Sequence, residues 1–245
     1  MRKYNSCFCI SSNSRKFLMQ NYLIKQNEKE KRKHAMPIIK KETKKEALVK
    51  LEKAASDCQN CDLYKNATQV VFGKGAVTAK IMLVGEQPGH YEDLQGEPFV
   101  GPAGKILKAC MEEAGLEDRM VYLTNAVKHF KHHVSGKKRL HDKPNYQQIK
   151  ACRPWLQQQR DVLKPKIIVA MGATAARSVL DRIPTLGKER GKIIKELPSG
   201  ELVILSWHPS AILRNYSSDQ AEKMKKELIS DLKLAVKTLN ELKKT

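Results

Sequence analysis

Three short apolar runs constrain this chain most: Lys80-Ile-Met-Leu-Val-Gly85, Val121-Tyr-Leu-Thr124 and Lys166-Ile-Ile-Val-Ala-Met171. None alternates apolar with polar residues, so each strand has to be covered on both faces. Between them lie stretches with helical spacing. The first, Lys44 to Ala55, precedes the strands, and others are expected over Ile106–Ala114, Tyr146–Leu163, Ala173–Leu180 and Asp219–Leu242. Gly115 and Gly172 punctuate two of these boundaries. Two more short strands are expected around Lys192–Ile194 and Leu202–Leu205. Strands alternating with helices indicate an α/β fold, in three layers α/β/α around a central parallel sheet. Ligand sites in such sheets gather beyond the carboxyl ends of the strands. The loops there are a Gly/Pro-rich segment from Glu86 to Gly104, a long His- and Lys-rich segment ending at Pro144, and the His208-Pro-Ser210 turn.

Charge narrows the partner. The chain has 46 Lys and Arg against 26 Asp and Glu, a formal charge of +20. An excess of this size favours a polyanion, most often nucleic acid. Residues 1–50 hold fourteen of the basic residues and four acidic ones. With no sustained apolar period there, residues 1–43 read as a basic, disordered extension and 44–245 as the folded domain. No run approaches the length of a membrane span, and the N-terminus lacks the apolar core of a secretory signal, so a cytoplasmic protein is expected. Nothing in the sequence demands more than a monomer.

Of six cysteines, Cys7 and Cys9 lie in the extension, leaving Cys58, Cys61, Cys110 and Cys152. Their wide, uneven spacing suits a metal or cluster site better than a disulfide framework. Cys110 lies within a helical stretch and reads as a small buried hydrophobe.

The loop after the first apolar run is Gly85-Glu86-Gln87-Pro88-Gly89, continuing through Glu92-Asp93 to Pro98-Phe99-Val100-Gly101-Pro102-Ala103-Gly104. It combines stiffness with carboxylates, an amide and an aromatic ring. That set suits a flat, hydrogen-bonding ring, with Phe99 to stack and polar groups to read its edge.

Together with Thr124-Asn-Ala-Val-Lys-His-Phe130, Ala151-Cys-Arg-Pro-Trp-Leu156, Gly172-Ala-Thr-Ala-Ala176 and Trp207-His-Pro-Ser-Ala211, this loop resembles the uracil-DNA glycosylases. The similarity spans about residues 56–240 and points to the iron–sulfur branch, which holds the family-4 enzymes and the UdgX group. It implies the uracil-DNA glycosylase fold, with uracil-containing DNA as partner, single-stranded or with the base flipped out of a duplex. It makes Gly85, Phe99, Asn125, Arg139 and Ser210 the uracil- and DNA-binding set, with Phe99 stacking on uracil, and His208 a catalytic residue facing a uracil oxygen. Asn125 on its own reads equally as a strand-end cap. As a carboxamide it has a donor and an acceptor for uracil's N–H and C=O. An enzyme acting on a base has to extract it from the stack and hold it in this way.

The resemblance also makes Cys58, Cys61 and Cys152 ligands of a 4Fe-4S cluster. Where family-4 enzymes have a fourth cysteine this chain has Val127-Lys128-His129, so His129 is the expected fourth ligand, as in UdgX-type proteins. Zinc would accept the same donors. Finally, Gly136-Lys-Lys-Arg-Leu-His141 resembles the UdgX insertion whose histidine becomes covalently joined to DNA. His141 falls on that position, which implies a glycosylase that stays attached to the abasic sugar; the alternatives are an ordinary turning-over family-4-like glycosylase and a non-catalytic sensor that binds uracil-containing DNA. Glu86 is expected to orient His141 or accept its proton, Gln87 to support the arrangement and Arg139 to anchor the loop. Asp142 stands where that group has a basic residue, and its charge is expected to alter the proton affinity of His141.

Overall fold

In the computed structural model, which describes residues 42–215 and 218–244, alternate residues of each central strand enter opposite cores. The strands are β1 (Lys74–Gly75), β2 (Ile81–Gly85), β3 (Val121–Asn125), β4 (His132–Ser135), β5 (Lys138–His141), β6 (Ile167–Met171), β7 (Ile193–Ile194) and β8 (Leu202–Ser206). The helices are α1 (Lys44–Ser56), α2 (His90–Gln95), α3 (Pro102–Glu113), α4 (Tyr146–Leu163), α5 (Ala173–Leu180), α6 (Leu186–Glu189), α7 (Pro209–Arg214) and α8 (Asp219–Glu241). Ile81, Leu83, Ile167 and Val169 pack with Leu107 of α3 and Leu228 and Leu232 of α8. Met82, Val84, Ile168 and Ala170 face the other way, toward Leu51 of α1, Leu156 of α4 and Ala175 of α5. This is the expected three-layer α/β/α arrangement, and it follows from the period-2 alternation of strand side chains.

The sheet order is β1-β3-β2-β6-β8-β7. The central four strands are parallel, while β1 and β7 add short antiparallel edges. Registration brings the strand ends level, with Gly85 opposite Asn125 and Met171 opposite Ser206. Every loop singled out in the sequence therefore leaves the sheet from the same edge.

Three elements depart from expectation. The long His- and Lys-rich segment forms a two-stranded antiparallel hairpin, β4–β5, outside the main sheet. Inside the Gly/Pro-rich loop His90–Gln95 forms a helix, closed by the left-handed Gly96, and α3 begins at Pro102, earlier than the apolar spacing suggested. The His208-Pro-Ser210 turn opens a short helix, with proline at its first position. Cys110 is fully buried beside α3's apolar neighbours, where burial pushes its thiol up to about 11. The basic segment up to residue 41 lies outside the described residues. No described helix is long and apolar enough to cross a membrane.

Candidate active site

At the carboxyl edge of the sheet lies a cavity of about 730 Å3, within the usual range for a small-molecule site. Its floor is Gly85. A Cβ there would fall on Asn125 Oδ1, lie 2.7 Å from Phe99 Cζ and 3.3 Å from His208 Nε2. An amide, a phenyl ring and an imidazole thus converge on one glycine, because β2 and β3 end in register and the Phe99 and His208 loops fold over them.

The Phe99 loop is tightly built. Phe99 adopts a left-handed backbone with φ 59°, a conformation that costs a phenylalanine on the order of 1–3 kcal/mol. Gly104 packs against the Phe99 carbonyl where no Cβ would fit. Glu92 ties this loop to the preceding one, accepting from the backbone N–H groups of Gly89 at 3.1 Å and Gly101 at 2.9 Å.

His208 is held in one tautomer. Its Nδ1 accepts from the backbone N–H of Ser210 at 3.2 Å and lies 2.8 Å from the Ser210 hydroxyl, which itself accepts from Arg214. A neutral ring accepting at Nδ1 carries its proton at Nε2. That Nε2 is buried with no hydrogen-bond partner among the described residues. Burial, reinforced by Arg214 and His141, pulls the imidazole down to about 4 from its ordinary 6.5. The unfolded chain takes up a proton at this ring as pH falls through 6.5, and the folded one does not until about 4. The contribution to stability is therefore full above about 6.5 and lost as pH drops toward 4. Thermal midpoints across this window should fall less steeply in His208→Asn than in the wild type; equal slopes would exclude the burial account.

The hairpin brings His141 to the same cavity. Its Nε2 lies 3.3 Å from Glu86 Oε1, and the ring is 45 % exposed. Gln87 grips the base of the hairpin, donating to the carbonyls of Lys131 and Asp142 at 3.0 and 3.1 Å and accepting from Lys131 N–H at 3.1 Å. Arg139 fastens the other end. Its guanidinium donates to the fully buried Asp93 at 2.7 Å and to His90 at 3.1 Å, and lies over the Phe130 ring. Asp142 turns its carboxylate to His133 Nδ1, at 2.9 and 3.0 Å, and pairs across the hairpin instead of with His141.

One buried residue escaped the sequence reading. The Lys128 ammonium is enclosed, donating to Thr124 Oγ1 at 2.6 Å, Gln159 Oε1 at 2.6 Å and the Asn125 carbonyl at 2.9 Å. It secures the strand end from which the Asn125 side chain projects, and burial draws it down to about 7.

The cysteines gather on the α4 side. Cys61 and Cys152 pack with Leu63, Val127, Ile149 and Trp155. Cys58 Sγ accepts from Trp155 Nε1 at 3.1 Å and Cys152 Sγ from the Lys128 backbone N–H at 3.2 Å. Both Cys58 and Cys61 act electrostatically on Cys152, whose thiol burial pushes up to about 12. Sulfurs within electrostatic reach of one another, two of them accepting from N–H donors, fit a thiolate-ligated centre in chemistry. His129 is buried with Asp93 as its charged neighbour, and among the described residues no group of three or more His, Cys, Asp or Glu side chains is arranged to hold a metal ion.

Comparison with known proteins agrees with this geometry. Residues 72–233 match the family model of the uracil DNA glycosylase superfamily. A type-4 uracil-DNA glycosylase of Pyrobaculum aerophilum is 35% identical over 173 residues, 68% of this chain and 85% of the relative. One of Thermotoga maritima is 35% identical over 178 residues, covering 72% and 88%. A type-5 uracil-DNA glycosylase of Pyrobaculum aerophilum is 28% identical over 155 residues, covering 56% and 64%. The family match runs from the edge strand to the last helix and takes in every loop that lines the cavity, so the chain belongs to the uracil DNA glycosylase superfamily.

Proposed function

We propose that this protein excises uracil from DNA and that His141 then bonds to the sugar left behind. What carries the proposal is one cavity that joins a base-sized pocket over Gly85 to a second imidazole paired with a carboxylate. Phe99 stacks on the flipped base and Asn125 pairs with its edge. His208, neutral and protonated at Nε2, donates to a uracil oxygen on which charge builds as the C1′–N1 bond breaks. The bonding pair leaves with uracil, and the sugar becomes an oxocarbenium-like electrophile.

Water is the ordinary nucleophile for such a carbon. A side chain held beside it competes through proximity, where effective molarities far exceed that of solvent. Glu86 takes the proton carried by His141 Nε2, and the freed lone pair forms a C1′–Nε2 bond. A ring that carried its one proton at Nε2 ends as a neutral alkylated imidazole with a bare Nδ1, a poor leaving group, so the adduct persists. The basic surface supplies phosphate contacts, and binding weakens as salt rises. Uracil in single-stranded DNA is the simplest substrate, since no pairing has to be broken.

The test is a uracil-containing oligonucleotide incubated with the protein and run on a denaturing gel. A shifted band that survives heat and detergent is expected. Abasic product without that band would make the protein a turning-over enzyme like its type-4 relatives, and intact oligonucleotide would make it a binding sensor.

We further assign Cys58, Cys61, Cys152 and His129 as ligands of a 4Fe-4S cluster, supported by the sulfurs within electrostatic reach of one another and the N–H donors to two of them. Hydrolysis and capture need no electron transfer, so a cluster held by these residues would clamp the α1 end, the segment after β3 and α4 together. Purified protein should be brown and contain iron and acid-labile sulfide. A colourless preparation loaded with zinc would overturn the assignment.

A further inference from the structure

Glu86 can serve His141 only if its carboxylate is held in the right direction. Its Oε1 faces His141 Nε2 at 3.3 Å, while its Oε2 accepts a 2.6 Å hydrogen bond from Thr174 Oγ1. Among the described residues, that hydroxyl is the one side-chain or backbone donor to this carboxylate besides the imidazole. Thr174 is 2 % exposed, in the first turn of α5, which follows β6; Glu86 follows β2, and these two strands pair in parallel. A threonine early in a helix commonly turns its hydroxyl to nearby backbone. This one donates its single proton to a carboxylate in another loop.

We infer that Thr174 is a positioning residue for covalent capture: by holding Glu86 Oε2 it turns Oε1 toward His141 and sets the line along which the Nε2 proton is removed. The inference rests on the capture reading above. Thr174 never meets the base or the sugar; it acts through Glu86. The competing role is a clamp that joins the loops after β2 and β6 without bearing on the chemistry. A clamp matters whether or not Glu86 is present, whereas a positioning hydroxyl matters only through it.

The experiment follows Thr174→Val, which keeps the shape and removes the donor, and Thr174→Ser, which keeps the donor. Each is made alone, and Thr174→Val also in a Glu86→Ala background. Single-turnover rates of uracil excision and adduct formation are read on denaturing gels, with thermal midpoints alongside. Removing a hydrogen bond to a charged group is expected to slow adduct formation about 10- to 100-fold. Thr174→Ser should recover to within about threefold of wild type, and Thr174→Val should add nothing once Glu86 is alanine. The inference is overturned if Thr174→Val forms adduct at the wild-type rate, if serine fails to rescue, or if valine is equally harmful without Glu86. Wild-type protein that excises uracil and forms no adduct would sink the capture reading and this inference together. Normal wild-type adduct with an indifferent Thr174→Val would sink the inference alone.

Discussion

His141→Ala is expected to abolish the heat- and detergent-resistant band completely while uracil excision continues. The geometry separates the two steps. Phe99, Asn125 and His208 converge on Gly85, whereas His141 belongs to the hairpin and meets Glu86. Removing the imidazole leaves the base pocket untouched and opens space where water can reach the sugar carbon. The product changes from a protein–DNA adduct to free abasic DNA, an all-or-none difference on the gel. A His141→Ala protein that still cross-links would show that another side chain is the nucleophile. One that no longer releases uracil would place His141 in bond cleavage itself.

Gly85→Ala is expected to act one step earlier, on excision itself. The strand backbone tolerates alanine there, since Gly85 is outside the left-handed region, and the difficulty is the space the methyl group takes. Its Cβ would land on the Asn125 amide and 2.7 Å from the Phe99 ring, where the base has to sit. Displacements of about 1 Å at a reacting centre cost on the order of 100-fold in rate, and excision should fall at least that far. Adduct formation falls with it, because no electrophile forms. Single-turnover excision within about threefold of wild type would mean that the base binds elsewhere in the cavity.

The layered sheet was legible because its strands are apolar on both faces, a pattern that few other arrangements can bury. Much of the cavity was legible too, since Phe99, Asn125 and His208 occupy strand ends and loops at one edge of a parallel sheet. Periodicity failed where contacts are polar and distant in sequence. His132, His133, Lys138 and His141 do not alternate apolar with polar, so the hairpin has no strand signature; its residues are mostly exposed. Lys128 gives no local sign of burial, and only the fold supplies the three acceptors around its ammonium. Asp142 has neighbours on both sides in the chain, yet its partner is His133 across the turn. Thr174 gives no local sign of Glu86, eighty-eight residues away.

The two halves of the cavity differ in how they are built. Gly85 ends a fully buried strand with parallel neighbours on both sides, in the class of backbone that opens only when the whole molecule unfolds. The β4–β5 ribbon belongs to neither apolar core and is fastened by Gln87 and Arg139. Its amides should exchange with solvent long before those of β2. On the capture reading proposed above, a lineage could therefore acquire, lose or re-sequence the ribbon while the end of β2 stays intact, and so move between permanent and transient attachment to DNA without refolding the domain.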